Sequence, residues 1–322
     1  MNPHKCLFIW ILLAVFALPG CGSNPEKTKH ATVAIVSAGN NFNQFIEGFK
    51  EGLAKAGYRE GKNITYLYDG PTPAKEIGKR LTALKQQEID LLYTTTTPVT
   101  LKAKKIFAGS KIPILFAPVF SPVDAGLVDA KTRCGDNITG VMVRGSTEKT
   151  LGYLLECMPE LKTIFVPYHQ HELPARLNLK DLQKEADRFG ITILTANIKN
   201  KNDINNVLQN IPKETDCLWV THSSLIVNNA DAIINAAAKR NLPVASPTAQ
   251  AQKGALLSYA PTAKSMGKQA SKIAAKILRG ADASLIPAET AEYFLGINLK
   301  TANALGIDIR DDLLRQADFI ER

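Results

Sequence analysis

The 322-residue sequence lacks the short motifs that usually carry catalysis or nucleotide binding. It contains no G-x-G-x-x-G, no G-x-x-x-x-G-K-[S/T], no H-E-x-x-H and no G-x-S-x-G. The net charge is +9, yet there is no dense Lys/Arg run and no basic patch interleaved with aromatic residues. The sequence therefore gives no support to nucleic-acid binding or to the common enzyme classes.

The apolar run at the start of the chain, Leu7 to Leu18, is too short to cross a bilayer. It has about a dozen residues, whereas a membrane-spanning helix needs roughly 20. His4 and Lys5 precede it and small residues follow it, which is typical of a cleaved signal peptide.

The segment Leu18-Pro19-Gly20-Cys21, at the end of the apolar run, resembles a bacterial lipobox. In a lipobox the signal peptide is cut before the cysteine, here Cys21, whose thiol carries diacylglycerol. We therefore expect a lipoprotein signal peptide over 1–20 and a flexible tether over 21–30. The alternative is an ordinary cleaved signal followed by an incidental cysteine.

Five cysteines occur, and none forms a C-x-x-C pair, so zinc and thioredoxin-like sites have little support. Cys6 would leave with the signal peptide. Of the remaining Cys134, Cys157 and Cys217, one pair could form a disulfide in an oxidising compartment. Cys217 lies in "DCLWV", a predicted core strand. Whether Cys134 and Cys157 form that disulfide stays open.

Short apolar segments alternate with amphipathic ones from Thr32 onward, which predicts alternating strands and helices. "TVAIVSA" and "IDLLYTT" are typical of buried strands, and "FNQFIEGFKEGLAKAGY" has apolar residues at helical spacing before Gly57. A helix is predicted to begin at Pro73 in "PAKEIGKRLTALKQQE", and a single helix is predicted over "LIVNNADAIINAAAKRN". The alternation of strands and helices begins again after about residue 143 and ends in a long predicted helix, "TAKSMGKQASKIAAKILRG". This pattern predicts an α/β protein with two doubly wound, Rossmann-like lobes and a ligand cleft at the carboxyl ends of the strands.

Five longer segments occur in this order along the chain: "FIEGFKEGLAKAGYREGKNITYLYDG", "PVFSPVDAGLV", "DNITGVMVR", "KGALLSYAPTAKSMGKQASKIAAKILRG" and "INLKTANALGIDIRDDLLRQAD". Together they resemble the ABC-transporter substrate-binding proteins of the TrpX type. The resemblance covers about residues 31 to 321. It implies a type I periplasmic-binding-protein fold, no catalysis, no cofactor, and delivery of a small solute to a membrane permease.

The fold of that family also implies a hinge of three chain crossings, which we place near residues 143–146, 260–263 and 284–291. The lobes that follow are 31–143 plus about 262–284 for lobe 1, and 144–261 plus about 285–322 for lobe 2.

The stretch "YTTTTPVTLKAKK" gives the strongest sign of a binding site. Thr96 and Thr97 precede Pro98 at a predicted helix start, where free N–H groups and the positive helix end suit a carboxylate or another anion. Thr100 adds a further hydroxyl, and in the family the matching turn contacts the ligand. The alternative is that Thr97 only caps the helix.

Other polar and aromatic candidates follow predicted strands in both halves of the chain. They are Asn41 and Phe42 in "SAGNNFNQFIEG", Phe120 and Ser121 in "PVFSPV", Tyr168 and His169 in "VPYHQHEL", His222, Ser223 and Ser224 in "VTHSSL", and Thr248 in "VASPTAQA". Phe42 could instead be a core residue. The His-x-His-Glu sequence from His169 could suggest a metal site, but a polar loop is the better interpretation, so no metal is expected.

Neutral residues stand at turns where amino-acid-binding members of the family tend to carry aspartates. An ammonium group in a closed cleft needs a carboxylate partner, because burying it unpaired is costly. Glu172 is the only obvious acidic residue nearby. We therefore expect a neutral, aromatic or anionic solute rather than a plain α-amino acid.

These observations predict a monomeric, lipid-anchored protein outside the cytoplasm that captures a solute for an ABC permease. One alternative is a ligand-sensing subunit for a membrane signalling protein, which neighbouring genes would distinguish. Another is a secreted hydrolase using Cys134 or Cys217, which the missing base–nucleophile pattern makes a weak hypothesis.

Overall fold

A computed structural model describes residues 30–39, 42–129 and 137–322. The predicted signal peptide, Cys21, Asn41 and Cys134 lie outside the described residues. No helix within those ranges is both long enough and apolar enough to span a membrane.

Strands and helices alternate along most of the chain, as the sequence predicts. The strands are β1 (Ala31–Val36), β2 (Ile64–Leu67), β3 (Leu91–Thr94), β4 (Ile114–Phe120), β5 (Ile138–Val143), β6 (Thr163–Tyr168), β7 (Thr192–Asn197), β8 (Cys217–Trp219), β9 (Val244–Ser246), β10 (Leu257–Ala260), β11 (Glu289–Thr290), β12 (Phe294–Asn298) and β13 (Phe319–Glu321). The helices are α1 (Asn43–Lys55), α2 (Ile77–Lys85), α3 (Thr97–Ile106), α4 (Thr147–Cys157), α5 (Leu173–Phe189), α6 (Asp203–Gln209), α7 (Ser224–Asn228), α8 (Ala230–Ala238), α9 (Ala263–Leu278), α10 (Leu299–Leu305) and α11 (Asp311–Gln316).

These strands form two separate sheets. The first has the order β11-β5-β4-β3-β1-β2, and all of its neighbouring strands are parallel. The second has the order β13-β12-β10-β9-β8-β6-β7 and is parallel except where β12 runs antiparallel to β10. The predicted α/β class with two Rossmann-like lobes is confirmed.

Apolar clusters cover both faces of each sheet. In β1, Val33 and Ile35 pack toward α1 and α9, whereas Ala34 and Val36 pack into the cluster that contains residues of α2 and α3. Burial on both faces explains why these strands read as continuous apolar runs. The second sheet has the same arrangement, with one cluster around Trp219 and the other around Phe165.

Helices α1 and α9 approach each other closely in the first lobe, because glycines lie at their contact. A Cβ atom at Gly267 would overlap the carbonyl oxygen of Phe45, and one at Gly48 would overlap that of Lys264. Helix α9 therefore completes the first lobe although it follows the second-lobe strands in sequence.

The chain passes between the sheets three times, and tyrosines link these crossings. The Tyr293 hydroxyl accepts a hydrogen bond from the Arg144 N–H (3.1 Å) and donates one to the Arg144 carbonyl oxygen (3.0 Å). The Tyr293 ring stacks on Tyr259, with centroids 5.2 Å apart, and Tyr153 meets Tyr259 edge-on at 5.4 Å. We call Tyr153, Tyr259 and Tyr293 the tyrosine clasp.

The third crossing lies slightly later than the sequence suggests. Residues 289 and 290 pair with Val141 and Met142, and the Ala291 N–H donates to the Met142 carbonyl oxygen at 2.8 Å. The segment from about 285 to 291 therefore lies with the first sheet rather than the second. The chain leaves for the second sheet between Ala291 and Phe294.

Two predicted helices also differ from the helices in the structure. The helix predicted from Pro73 begins at Ile77, because residues 73–76 form a turn closed by the Glu76 N–H and the Pro73 carbonyl oxygen at 2.8 Å. The single helix predicted over "LIVNNADAIINAAAKRN" is two helices, α7 and α8. Asn229 separates them, and its side-chain amide donates to the Leu225 carbonyl oxygen at 2.8 Å.

Candidate functional site

Loops from the carboxyl ends of both sheets meet at one place. The rings of Phe120, at the end of β4, and His222, just after β8, lie 5.0 Å apart between centroids at an angle of 50°. This contact joins the two lobes. It occurs at the strand edge where open α/β sheets bind their ligands.

A threonine-rich turn follows β3 in the first lobe, and most of its hydroxyls are used internally. The Thr94 and Thr100 hydroxyls lie 3.0 Å apart, and Thr100 also donates to the Thr96 carbonyl oxygen at 2.8 Å. Thr95 donates to the Ser37 hydroxyl at 3.1 Å. Thr100 therefore shapes the turn instead of presenting a free hydroxyl.

The N-terminus of α3 differs from the simple cap that the sequence allows. Thr97 is the first helical residue, and Thr96 occupies the N-cap position. The Thr96 side chain accepts no hydrogen bond from the first turn of the helix. The capping alternative for Thr97 is therefore wrong. Both threonines are half-buried, and their hydroxyls have no hydrogen-bond partner among the described residues.

Two residues at this edge have a backbone conformation that is rare for side-chain-bearing residues. Thr96 has φ +68° and Ser121 has φ +44°. The Thr96 N–H donates to Pro118, and the Ser121 N–H donates to Val143, at 3.1 and 3.3 Å. Such outliers concentrate at functional sites, because surrounding contacts must over-determine them. Both belong to the predicted ligand-binding set.

On the second lobe, burial governs the chemistry of His222. Desolvation disfavours the charged imidazolium and lowers the pKa of His222 to about 4. The side chain is therefore neutral near pH 7. One ring nitrogen can donate a hydrogen bond to a solute, and the other can accept one.

The two serines after His222 belong to the start of α7. Ser223 is fully buried, and its hydroxyl accepts a hydrogen bond from the Ile226 N–H at 3.3 Å, which makes it the N-cap. Glu172 accepts from the N–H groups of Ser224 and Leu225 at 2.6 and 3.3 Å. Both carboxylate oxygens of Glu172 are thus engaged at the positive end of a helix.

The loop after β6 is held by its own polar groups. His169 Nδ1 lies 2.8 Å from the Ile198 carbonyl oxygen, and Gln170 Nε2 lies 3.1 Å from His171 Nε2. The two imidazole rings are 5.7 Å apart. Within the described ranges, no group of three or more His, Cys, Asp or Glu side chains could hold a metal ion. Tyr168 is half-buried at the end of the strand.

A hydroxyl–amide chain follows β9. The Ser246 and Thr248 hydroxyls are 2.7 Å apart, and Gln250 Nε2 lies 3.4 Å from the Thr248 hydroxyl. Gln250 is 3% exposed, and its Oε1 has no hydrogen-bond partner in the part of the chain that the structure describes. Like Ser246 and Thr248, Gln250 belongs to "VASPTAQA", whose polar side chains the sequence predicts at the end of a strand.

In the first loop, Phe42 is half-buried and packs on Phe45, with ring centroids 5.5 Å apart. Its partner in the prediction, Asn41, lies outside the described residues. Phe42 therefore contributes to the edge of the first-lobe core, and its role toward a solute stays a prediction.

The remaining cysteines are not activated. Cys157 and Cys217 are buried free thiols, and burial raises the pKa of Cys157 to about 12 and also raises the pKa of Cys217. A nucleophilic cysteine needs the opposite shift.

Comparison with known proteins agrees with this geometry. The family model of ABC transporter substrate binding proteins matches residues 30–320. The tyrosine-binding protein of Clostridioides difficile (strain R20291) is 27% identical over 319 residues, which cover 93% of this chain and 91% of that protein.

Solved structures of similar proteins share the fold. A conserved domain protein from Vibrio cholerae O1 biovar eltor str. N16961 superposes with a TM-score of 0.78 and 25% identity, covering 91% of this chain and 100% of the other. An ABC domain in complex with L-Trp from Streptococcus pneumonia gives 0.80 and 20%, with the same coverage. The resemblance drawn from the sequence is confirmed: the chain belongs to the ABC transporter substrate-binding proteins, a family of binding proteins rather than enzymes.

Proposed function

We propose that this chain is a lipid-anchored, extracytoplasmic solute-binding protein that captures a small molecule between its lobes for an ABC importer. The contact between Phe120 and His222 carries this proposal, because it brings the binding edges of the two sheets together. A solute held there touches both lobes, so it favours the closed arrangement over an open one. The protein acts as a monomer and passes its solute to a membrane permease.

The proposed binding surface combines aromatic faces with neutral polar groups. Its first-lobe part is Asn41, Phe42, Thr96, Thr97, Phe120 and Ser121, and its second-lobe part is Tyr168, His169, His222, Ser223, Ser224 and Thr248. The geometry favours the aromatic residues and the unengaged hydroxyls as direct contacts. Ser223 and Ser224 support the surface by building the start of α7.

We propose a neutral, aromatic or anionic solute. Each carboxylate oxygen of Glu172 already accepts a backbone N–H at the start of α7, which makes it less available to an ammonium, and His222 is uncharged. The α3 N-terminus, with its unengaged threonine hydroxyls, suits an anionic or polar end of a solute. Tyrosine, the solute in the name of the Clostridioides difficile relative, is the principal competing candidate.

Thermal-shift screening of residues 22–322 against a metabolite library tests the binding function. A true solute raises the unfolding midpoint by mass action. The shift should disappear in Phe120→Ala and persist in Phe189→Ala, which removes an exposed ring at the far end of α5. Shifts that survive Phe120→Ala would place binding elsewhere, and no shift with any metabolite would overturn the proposed function.

Calorimetry with matched aromatic compounds tests the solute class. Tyrosine and tryptophan are compared with their deaminated acids and with their decarboxylated amines. We expect a deaminated acid to bind at least tenfold more tightly than the corresponding amino acid. Tighter binding of a free amino acid would refute the proposed class while leaving the binding function intact.

The anchor depends on Cys21, which lies outside the described residues. Fractionation of cells that express the full chain should place the wild type in membranes and Cys21→Ser in the soluble extracytoplasmic fraction. Labelling with a radioactive fatty acid should follow the same pattern. Equal partitioning of the two proteins would favour the alternative of an ordinary cleaved signal.

A further inference from the structure

The positive charge of the mature domain lies in one lobe only. Counted along the sequence, residues 31–143 and 263–291 contain 19 Lys and Arg against 12 Asp and Glu, a net charge of +7. Residues 144–262 and 292–322 contain 17 of each, a net charge of zero. An excess confined to one lobe indicates an oriented interaction with an anionic partner.

Within the first lobe, much of this charge lies at the edge opposite the binding site. All strands of the first sheet are parallel, so their amino ends share one edge, and the helices end there. Two hydrogen bonds show that separate segments of the chain lie together at this edge. Arg279 Nη2 donates to the Ala56 carbonyl oxygen at 2.9 Å, and Lys85 Nζ donates to the Ile106 carbonyl oxygen at 2.6 Å.

We define the basal face as residues 55–63, 85–90, 104–113 and 276–282. It contains nine Lys and Arg and four Asp and Glu. Its exposed basic residues are Lys55, Arg59, Lys62, Lys105, Lys111, Lys276 and Arg279. None of these seven forms an ion pair with another residue in the described ranges.

The acidic residues of the basal face are largely engaged elsewhere. Glu60 pairs with Lys50 at 3.1 Å, Asp90 accepts from the Thr32 N–H at 2.8 Å, and Asp282 accepts from the Ser284 N–H and hydroxyl. These acidic groups therefore do not neutralise the seven exposed basic side chains, whose long stems can reach outward to an external anion.

The start of the described chain lies on this same face. His30 Nε2 is 2.8 Å from the Thr65 hydroxyl, at the amino end of β2, and the Ala31 N–H donates to the Asn63 carbonyl oxygen at 2.9 Å. Eight residues lie between Cys21 and His30, and the fully extended segment spans about 30 Å. An anchor at Cys21 thus keeps the basal face close to the bilayer.

We propose that the basal face of the first lobe docks on anionic phospholipid at the membrane surface. The inference rests on the lipid anchor proposed above for its geometry, whereas the charge itself is independent of that anchor. Basic side chains near an anionic leaflet are attracted within about a Debye length of 10 Å.

Co-sedimentation of unlipidated residues 22–322 with vesicles tests the docking surface. This chain retains all the residues of the four hydrophobic clusters. Vesicles with about 30% phosphatidylglycerol in phosphatidylcholine should bind it at about 50 mM NaCl, and binding should fall at least tenfold at about 500 mM NaCl. Pure phosphatidylcholine vesicles should bind it at least tenfold more weakly.

Two variants of equal charge change locate the surface. Lys55→Glu/Lys105→Glu/Lys111→Glu should lose at least tenfold in affinity for the anionic vesicles. Lys199→Glu/Lys201→Glu/Lys239→Glu, which alters exposed lysines of the second lobe, should lose less than twofold. Unchanged melting midpoints would show that both variants are folded. If the first variant misfolds, single substitutions at Lys105 and Lys111 replace it.

Equal losses in the two variants would overturn the proposal, because net charge alone would then explain binding. Absence of binding to phosphatidylglycerol vesicles would also overturn it, as would binding to lipopolysaccharide but not to these vesicles. The protein used has no acyl chain, so each outcome is independent of whether Cys21 is lipidated and of which solute the cleft takes.

Discussion

His222 lies where the two lobes meet, and burial there keeps its imidazole uncharged. Its pKa falls from 6.5 to about 4 through desolvation, and no charged neighbour contributes to the shift. The ring packs on Phe120 across the site. Protonation of this one side chain therefore opposes the contact between the lobes.

We expect stability to depend on pH through His222. The unfolded chain takes up the proton at the ordinary pKa of 6.5, whereas the folded chain does so only near 4. The stabilisation is thus complete above pH 6.5 and is lost as the pH falls toward 4, by about 2 kcal/mol for a partly exposed group.

Urea unfolding at pH 7, 6, 5 and about 4 measures this dependence. His222→Asn should show a flatter profile than the wild type over this range. His30→Asn, a substitution at the exposed start of the described chain, should keep the wild-type profile. Parallel profiles for the wild type and His222→Asn would contradict the expectation.

The sequence indicates which residues lie at the site but not what each hydroxyl does there. Because Thr96, Phe120 and His222 follow predicted strands, the sequence predicts them at the edge where the two lobes meet. Whether a hydroxyl caps a helix, as in Ser223, or is unengaged, as in Thr97, depends on distances of a few tenths of an ångström. Local patterns do not contain those distances.

Among the helices, the pair α1 and α9 depends on glycine. Ala at Gly267 would force the new methyl group against the Phe45 carbonyl oxygen and the Phe49 backbone nitrogen, with neither able to move independently. We expect Gly267→Ala to lower the free energy of unfolding by about 2–3 kcal/mol.

Gly152 provides the matched control for that substitution. It lies within α4, and a Cβ there meets nothing within 4 Å. Gly152→Ala should raise stability by about 0.5–1 kcal/mol, because alanine favours the helix. Urea denaturation of both variants gives the comparison, and equal effects at the two positions would contradict close packing of α1 on α9.

The tyrosine clasp makes a separate prediction at the crossings. Tyr293→Phe keeps the ring stacked on Tyr259 but removes both hydrogen bonds to the Arg144 backbone. We expect a loss of about 1–2 kcal/mol in stability. Solute affinity should weaken three- to tenfold, because the crossings then fix the closed arrangement less well.

Tyr153→Phe is the control for the clasp, since the Tyr153 hydroxyl has no hydrogen-bond partner among the described residues. Calorimetry with a solute from the screen and urea unfolding measure the two quantities. If Tyr153→Phe matches Tyr293→Phe in both, the Arg144 hydrogen bonds are not what matters.

The sequence predicts the long elements of this fold well and the short ones poorly. Strands such as β1 and helices such as α5 and α9 carry a strong periodic signal over many residues. Strand β11 has two residues, and its pairing with β5 depends on a contact across almost half of the chain. The sequence pattern predicts no element after Gly280. It also predicts one helix in place of α7 and α8, because periodicity does not reveal the hydrogen bond from the Asn229 side chain to the Leu225 carbonyl oxygen.

Taken as a whole, the molecule builds each lobe from separated stretches of chain. A protein ending at Gly280 would lose β11 from the first sheet, and it would lose β12 and β13 from the second. We expect such a protein to lose near-ultraviolet circular dichroism and to be cleaved rapidly by protease in both lobes.

A chain beginning at residue 30 keeps all the strands of both sheets and provides the control. It should match residues 22–322 in melting midpoint and protease resistance. A shortened protein ending at Gly280 that kept a cooperative unfolding transition would contradict the interdependence of the lobes.

The late position of α9 has a consequence for biogenesis. The first lobe lacks the helix that covers α1 until residues 263–278 have left the ribosome, and the second lobe lacks two strands until the last residues follow. Neither half has its complete sheet and covering helices before these residues emerge. We therefore expect the chain, which is predicted to carry an export signal, to stay unfolded and able to pass through a translocon until its synthesis is nearly complete.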